Sequence, residues 1–154
     1  MSARGVFLRA AEISDLERLL ALAEGSPGAP RWPRGTWRQV LEAPSAGVSR
    51  IVLIAESVNE CVGFGVLGLA GDEAEIESLA VSSSWRRRGI ARRLCKDLFD
   101  WARVRGARRA SLEVRVSNTA ARSLYQSLGL QDVAVRHGYY SDPEEDALVM
   151  TTEL

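Results

Sequence analysis

Histidine is nearly absent from this chain: His137 stands alone among 154 residues. Cysteine is scarce too, with Cys61 and Cys95 far apart and no CxxC pair. These shortages leave little from which to build a zinc or iron–sulfur centre, and no metal is expected. Two separated thiols in a chain of ordinary soluble composition are expected to stay reduced, as in the cytoplasm. No apolar run approaches the roughly 18 residues of a membrane span. The opening MSARGVFLRAAEISD lacks the apolar stretch of a secretory leader. An excess of either charge is missing as well: twenty basic and twenty acidic residues cancel. No global field therefore draws the chain to nucleic acid or to a membrane surface. Neither a GxxxxGK[ST] phosphate loop nor the three-glycine dinucleotide fingerprint occurs. What remains is a single cytoplasmic domain over residues 1–154, with monomer and homodimer both open.

What is present is a regular alternation of strand and helix signals. Gly5 to Ala10 reads as a first strand. Ser14 to Glu17 fits a capping box with Ser14 as N-cap. It opens a helix that carries Leu16, Leu19, Leu20 and Ala23 and stops at Gly25. The proline- and glycine-rich loop 25–35 follows, then a short helix around Thr36 to Leu41. Ile51–Glu56 and Val62–Leu69 read as a hairpin turning at Ser57-Val58-Asn59-Glu60. Ala74–Val81 alternates as a strand, with Ile76, Ser78 and Ala80 expected on one face. Gly89 to about Arg105 is a helix whose stripe is Ile90, Leu94, Leu98, Trp101 and Ala102, closed by Gly106. Ser111–Val116 is a strand, Asn118 caps a short helix ending at Gly129, and Val133–Val135 and Leu148–Met150 mark two closing strands. The order βααβββαβαββ predicts an α/β fold, a mixed sheet with helices on both faces.

One segment stands out. Ser82–Leu94 packs five arginines around Gly89, at the start of a helix. A helix N-terminus carries partial positive charge and prefers anions, so these arginines are misplaced for the chain by itself. They are well placed if the turn holds a phosphate. Gly89 and the small Ala91 permit close approach, and the amides at the helix start have no intrahelical acceptor. The competing reading is a solvated arginine face that merely needs glycine at a turn.

The pattern R-x-x-G-x-A of Arg86 to Ala91 resembles the acetyl-coenzyme A signature of the GNAT superfamily of N-acetyltransferases. The resemblance continues through LEVRVSNTAARSLYQSLGL (112–130), GYY (138–140) and EDALVM (145–150). Those stretches are similar to the RimI type, the ribosomal-protein-alanine N-acetyltransferases. The resemblance covers residues 76–150, and before residue 70 only the element order agrees. It implies a mixed, mostly antiparallel sheet of about seven strands and acetyl-CoA as cosubstrate. It implies the pantetheine arm along Leu79, Ala80 and Val81, and the diphosphate at Arg87, Arg88, Gly89, Ile90, Ala91 and Arg92. Asn118 resembles a cofactor-contacting asparagine. Glu113 in "LEVR" and Tyr125 in "LYQSLGL" resemble the family's proposed base and acid. Departures from the family pattern fall on the acceptor side: Gly138 and Ser141 flank the tyrosine pair, Leu130 replaces an aromatic, and Trp32-Pro33-Arg34 stands where Pro-Trp-Ser is usual.

Acetyl transfer to an amine needs a neutral nucleophile, a stabilised oxyanion and a proton for the departing thiolate. At pH 7 roughly a tenth or more of α-amines are neutral, against less than about a thousandth of lysines. One carboxylate therefore suffices for an N-terminal acceptor. Glu113 alternates to the polar face of its strand, where it either points into a cleft between splayed strands or pairs with a neighbouring arginine; Glu75 and Glu77 are rival bases, and Glu77 could reach the same cleft. A backbone amide near Ala80 or Val81 is expected to hold the oxyanion if the strand bulges there. Trp32 and Trp37 either form a lid or anchor their loop. The reaction expected is direct attack in a ternary complex on a protein N-terminus. The alternatives are a small-molecule amine acceptor (polyamine, amino acid or aminoglycoside) and a non-catalytic phosphate- or nucleic-acid-binding module.

Overall fold

The computed structural model describes residues 5–26, 28–42, 47–58 and 60–154. Pro27 in the predicted loop and Asn59 in the predicted hairpin turn lie outside them. Seven strands form one sheet in the order β1-β2-β3-β4-β5-β7-β6. β1 (Phe7–Ala10), β2 (Ser49–Ser57), β3 (Glu60–Ala70) and β4 (Glu73–Val81) run antiparallel to one another. Helices α1 (Leu16–Glu24) and α2 (Arg34–Glu42) lie between β1 and β2 in the chain. Helix α3 (Ile90–Val104) crosses from β4 to β5 (Arg109–Arg115), a parallel neighbour. Such a connection needs a long crossover, which α3 supplies. Helix α4 (Thr119–Ser127) leads to β6 (Gln131–Tyr140), and β7 (Glu145–Glu153) inserts between β5 and β6. The element order is the one the sequence predicts.

Strand alternation divides the core into two layers. On β2, Val52 and Ile54 pack with Leu16, Leu19, Ala23 and Trp37 of α1 and α2. Leu53 and Ala55 point the other way and pack with Ile90, Leu94, Cys95 and Leu98 of α3. Each fully buried leucine or isoleucine contributes about 1.5–3 kcal/mol. Helix α3 sits close because β3 has glycine beneath it: a Cβ on Gly65 would lie 2.8 Å from Leu98 Cδ1. Helices α3 and α4 both close on glycine at their C-termini. Gly106 (φ +91°) and Gly129 (φ +95°) occupy the left-handed C′ position, and the Ala107 and Leu130 amides donate back to Ala102 and Tyr125 at 3.0 Å.

Several local expectations are corrected. Ser14 does not cap α1. A 3-10 turn, Ile13–Asp15, precedes the helix, and the Asp15 carboxylate accepts the Glu12 amide at 2.8 Å. Trp101 is half-buried at the margin of the α3 stripe, with the Arg105 guanidinium 4.0 Å over its ring, while Cys95 and Phe99 fill the core. The uniform alternation expected for β4 is broken by a register shift. Val66 pairs with Ser78 but Leu67 with Ile76, so Glu77 is an extra residue. Ala74 and Ile76 consequently pack toward α3, whereas Ala80 packs toward α1 and α2. The bulge is at Glu77, not at Ala80 or Val81.

Candidate active site

The site begins where two strands part. β4 and β5 pair only at Glu73–Arg109, Ala74–Ala110 and Glu75–Ser111, although both strands continue. Beyond that point the sheet opens. On the other edge of β4 the ladder to β3 persists, and the Ser82 amide donates to Val62 O at 2.8 Å. Antiparallel alternation then turns the amides of Ser78 and Ala80 toward β3, and those of Leu79 and Val81 toward the gap. The Val81 carbonyl accepts the Arg86 Nε–H at 3.3 Å, as expected of a group facing outward. Ser78 is 4 % exposed, and its Oγ is buried without a hydrogen-bond partner among the described residues.

The gap leads to the arginine turn. After a 3-10 turn, Ser83–Trp85, the chain turns left-handed at Arg87 (φ +61°) and again at Gly89 (φ +78°). A non-glycine residue in that region is uncommon and costs roughly 1–2 kcal/mol. The first bond of α3 runs from the Arg93 amide to Gly89 O at 3.1 Å. Helix geometry leaves the amides of Ile90, Ala91 and Arg92 without intrahelical acceptors, and Gly89 brings no side-chain cap. Nothing lies within 4 Å of where a Gly89 Cβ would be, so its φ, not crowding, calls for glycine. Arg92 bonds Ser127 Oγ, Arg93 donates to Val6 O at 3.0 Å, and Arg88 lies 4.5 Å over the Trp85 ring. Across the gap, Asn118 caps α4, its side chain accepting the Ala121 amide at 3.2 Å. A Cβ on Gly28 would lie 3.5 Å from Asn118 Nδ2, so the α1–α2 loop reaches this end of the cleft.

Three carboxylates meet on one side of the opened sheet. Glu113 follows Ser111, the last β5 residue paired to β4, and its carboxylate is 17 % exposed. It pairs through Oε1 with Arg136 at 3.1 Å. Glu77 is held by both oxygens, to Arg50 Nε at 2.7 Å and Nη2 at 3.0 Å. It lies flat across β3, where a Cβ on Gly68 would come within 2.8 Å of its Oε1. Glu75 is pushed above the ordinary carboxylate range, first by burial of its carboxyl, then by the charges of Glu77 and Glu113.

Three tyrosines complete the cluster. Tyr125 is 8 % exposed, and burial, with Cys95 and Tyr140 nearby, raises its phenol well above 10. Tyr140 is pushed up to about 12 by burial and by Glu113. Tyr139, 49 % exposed, is raised first by its interaction with the Glu113 carboxylate and then by burial. Tyr140 therefore couples electrostatically to both Glu113 and Tyr125. His137 is exposed and pairs with Asp146 at 3.2 Å. Trp37 is fully buried against Trp32 and Phe64, with ring centroids 4.9 and 5.2 Å away, and so anchors the α1–α2 layer.

The structure thus gathers Glu113, Glu77, Glu75, Leu79, Ala80 and Val81 along the opened strands, with the 87–92 turn and Asn118 at one end. It also names partners that the sequence left open: Arg136 is the arginine on Glu113, Arg50 holds Glu77, and Arg115 reaches the β6–β7 connection. Arg115 alternates to the same face as Glu113, which was the available signal. Strand registers that bring Arg136 and Arg50 across could not be read from spacing.

A sequence profile of the Acetyltransferase (GNAT) family matches residues 14–130. The chain is 33% identical over 116 residues to the [ribosomal protein bS18]-alanine N-acetyltransferase of Escherichia coli, covering 74% of this chain and 78% of that protein. It is 34% identical over 123 residues to the N-alpha-acetyltransferase RimI of Mycobacterium tuberculosis, covering 77% and 73%. The crystal structure of the ribosomal-protein-S18-alanine N-acetyltransferase from Escherichia coli superposes with a TM-score of 0.83 at 27% identity, over 96% of this chain and 93% of the other.

Proposed function

The chain belongs to the acetyltransferase (GNAT) family and is an N-acetyltransferase; from that premise we propose that it moves the acetyl group of acetyl-CoA to the α-amine of a protein N-terminus. The acceptor is of the ribosomal-protein-alanine type, and the reaction takes place in the cytoplasm. One observation carries the reading: β4 and β5 pair over three residues and then part. The cleft this makes has outward amides along β4, an amide-lined turn at one end and Glu113 beside it. The names of the bacterial relatives support the acceptor.

The residues present fit the cosubstrate. The turn Arg87, Arg88, Gly89, Ile90, Ala91 and Arg92 offers converging amides and guanidiniums to a diphosphate. Leu79 and Val81 offer backbone hydrogen bonds to a pantetheine arm, Ala80 packs between them, and Asn118 closes the far side. The amine nitrogen attacks the thioester carbonyl, the new C–N bond replaces C–S, and the thiolate departs. Glu113 takes the proton from the attacking amine. Glu77 is the weaker candidate because Arg50 occupies both its oxygens. Tyr125, a phenol protonated at neutral pH, gives its proton to the thiolate. The outward amide of Val81 or Leu79 faces the developing oxyanion.

No enzyme thiol takes part. Burial pushes Cys95 up to about 12, and Cys61 is raised as well, so neither supplies a thiolate for an acyl-enzyme.

Thiol release from acetyl-CoA tests the proposal. The assay compares Ala- and Met-initiated peptides with spermidine, free amino acids and an aminoglycoside. The expected kcat/KM for the Ala-initiated peptide exceeds that for each small amine by about a hundredfold. Preference for a small amine moves the acceptor to that class. No turnover, with salt-steep nucleic-acid binding instead, contradicts catalysis altogether.

A further inference from the structure

Arg115 closes β5, and no step above uses it. Its guanidinium donates from Nη1 to Pro143 O at 3.0 Å and to Glu145 Oε1 at 3.3 Å, and from Nη2 to Ser141 O at 3.3 Å. Its face lies 4.4 Å from the centroid of the Tyr140 ring. Glu145 also accepts the Ser117 amide at 2.6 Å, and the Arg115 carbonyl accepts the Asn118 amide at 3.0 Å. One side chain therefore binds both ends of the β6–β7 connection to the last residue of β5. The side chains of Arg115 and Glu145 are each only 19% exposed.

The connection needs such a tie. β6 is an edge strand, with β7 as its one neighbour among the described residues, and all of it except Tyr140 is exposed. Its ladder to β7 shifts register between Arg136 and Tyr140, so regular pairing does not fix the direction of Tyr139. We propose that Arg115 is a positioning residue that latches the hairpin tip to β5 and so holds Tyr139 and Tyr140 toward the acceptor, beside Glu113. The inference rests on the acceptor reading given above and deepens it. A planar fork of five donors with a stacking face can hold two carbonyls, a carboxylate and a ring at once. A lysine ammonium at the same place cannot.

The test is Arg115→Lys, which keeps the charge and the aliphatic stem. With an Ala-initiated hexapeptide, the peptide KM is expected to rise tenfold or more while kcat stays within threefold. The Kd of coenzyme A, by calorimetry, stays within threefold. Amides of residues 139–142 and 144–146 exchange hydrogen at least tenfold faster. A wild-type peptide KM in R115K overturns the proposal, and so does a coenzyme A Kd that rises in step with the peptide KM. If the wild-type enzyme does not acetylate the peptide, that result counts against the acceptor reading alone. The exchange measurement then decides on the latch: faster exchange at the tip supports it, and exchange at the wild-type rate overturns it.

Discussion

Helices α3 and α4 both follow a strand, yet they begin in opposite ways. At α4 the chain caps itself: the Asn118 side chain takes the Ala121 amide, and the helix start is satisfied from within. At α3 the N-cap is Gly89, with no side chain to accept anything, and arginines flank in sequence the amides that lack intrahelical acceptors. Like charge at the positive end of a helix dipole destabilises the free protein. The contrast separates two purposes. The α4 start is capped from within, and on the proposed reading the α3 start awaits an anion brought from outside.

Breaking the α3 start should have the largest effect. Gly89→Val forces a β-branched residue to φ +78°, and coenzyme A affinity by calorimetry should fall a hundredfold or more, with a lower Tm. Next comes the chemistry inside the cleft. Glu113→Gln should lower kcat about a hundredfold while Glu77→Gln stays within threefold, in steady-state assays with the Ala-initiated peptide. The reverse pattern would move the base to Glu77. At α4, Asn118→Ala should cost about 1 kcal/mol of stability by denaturant titration. Its effect on coenzyme A affinity should be far smaller than that of Gly89→Val, which sharpens the contrast between the two helix starts. The smallest effect is pH-dependent. Folding raises the pKa of Glu75 through burial and the charges of Glu77 and Glu113, so its ionised form opposes folding. Glu75→Gln should raise Tm at pH 7. The gain should shrink as pH falls through the raised folded pKa and vanish below the unfolded value of about 4.3.

The element order and both layers were legible because strand alternation and the 3.6-residue stripe of α3 are strong signals. Gly89, Gly106 and Gly129 could be placed because a positive φ demands glycine. Ser14 misled because its spacing to Glu17 imitates a capping box, while Asp15, one residue on, makes the bond. The bulge at Glu77 was hidden, since AEIESLAV alternates as cleanly as an unbroken strand. At the candidate site, the residues on one strand or one turn could be grouped from sequence. The ion pairs of Glu113 with Arg136 and Glu77 with Arg50 join residues 23 and 27 positions apart, and only the strand registers bring them together.

The central claim is that unspent amides at the head of α3 grip a diphosphate. Backbone amide NMR during a coenzyme A titration tests it most directly. The signals of Gly89, Ile90, Ala91 and Arg92 should move downfield together and saturate at the Kd found by calorimetry. Coenzyme A that binds while those four signals stay in place would contradict the account.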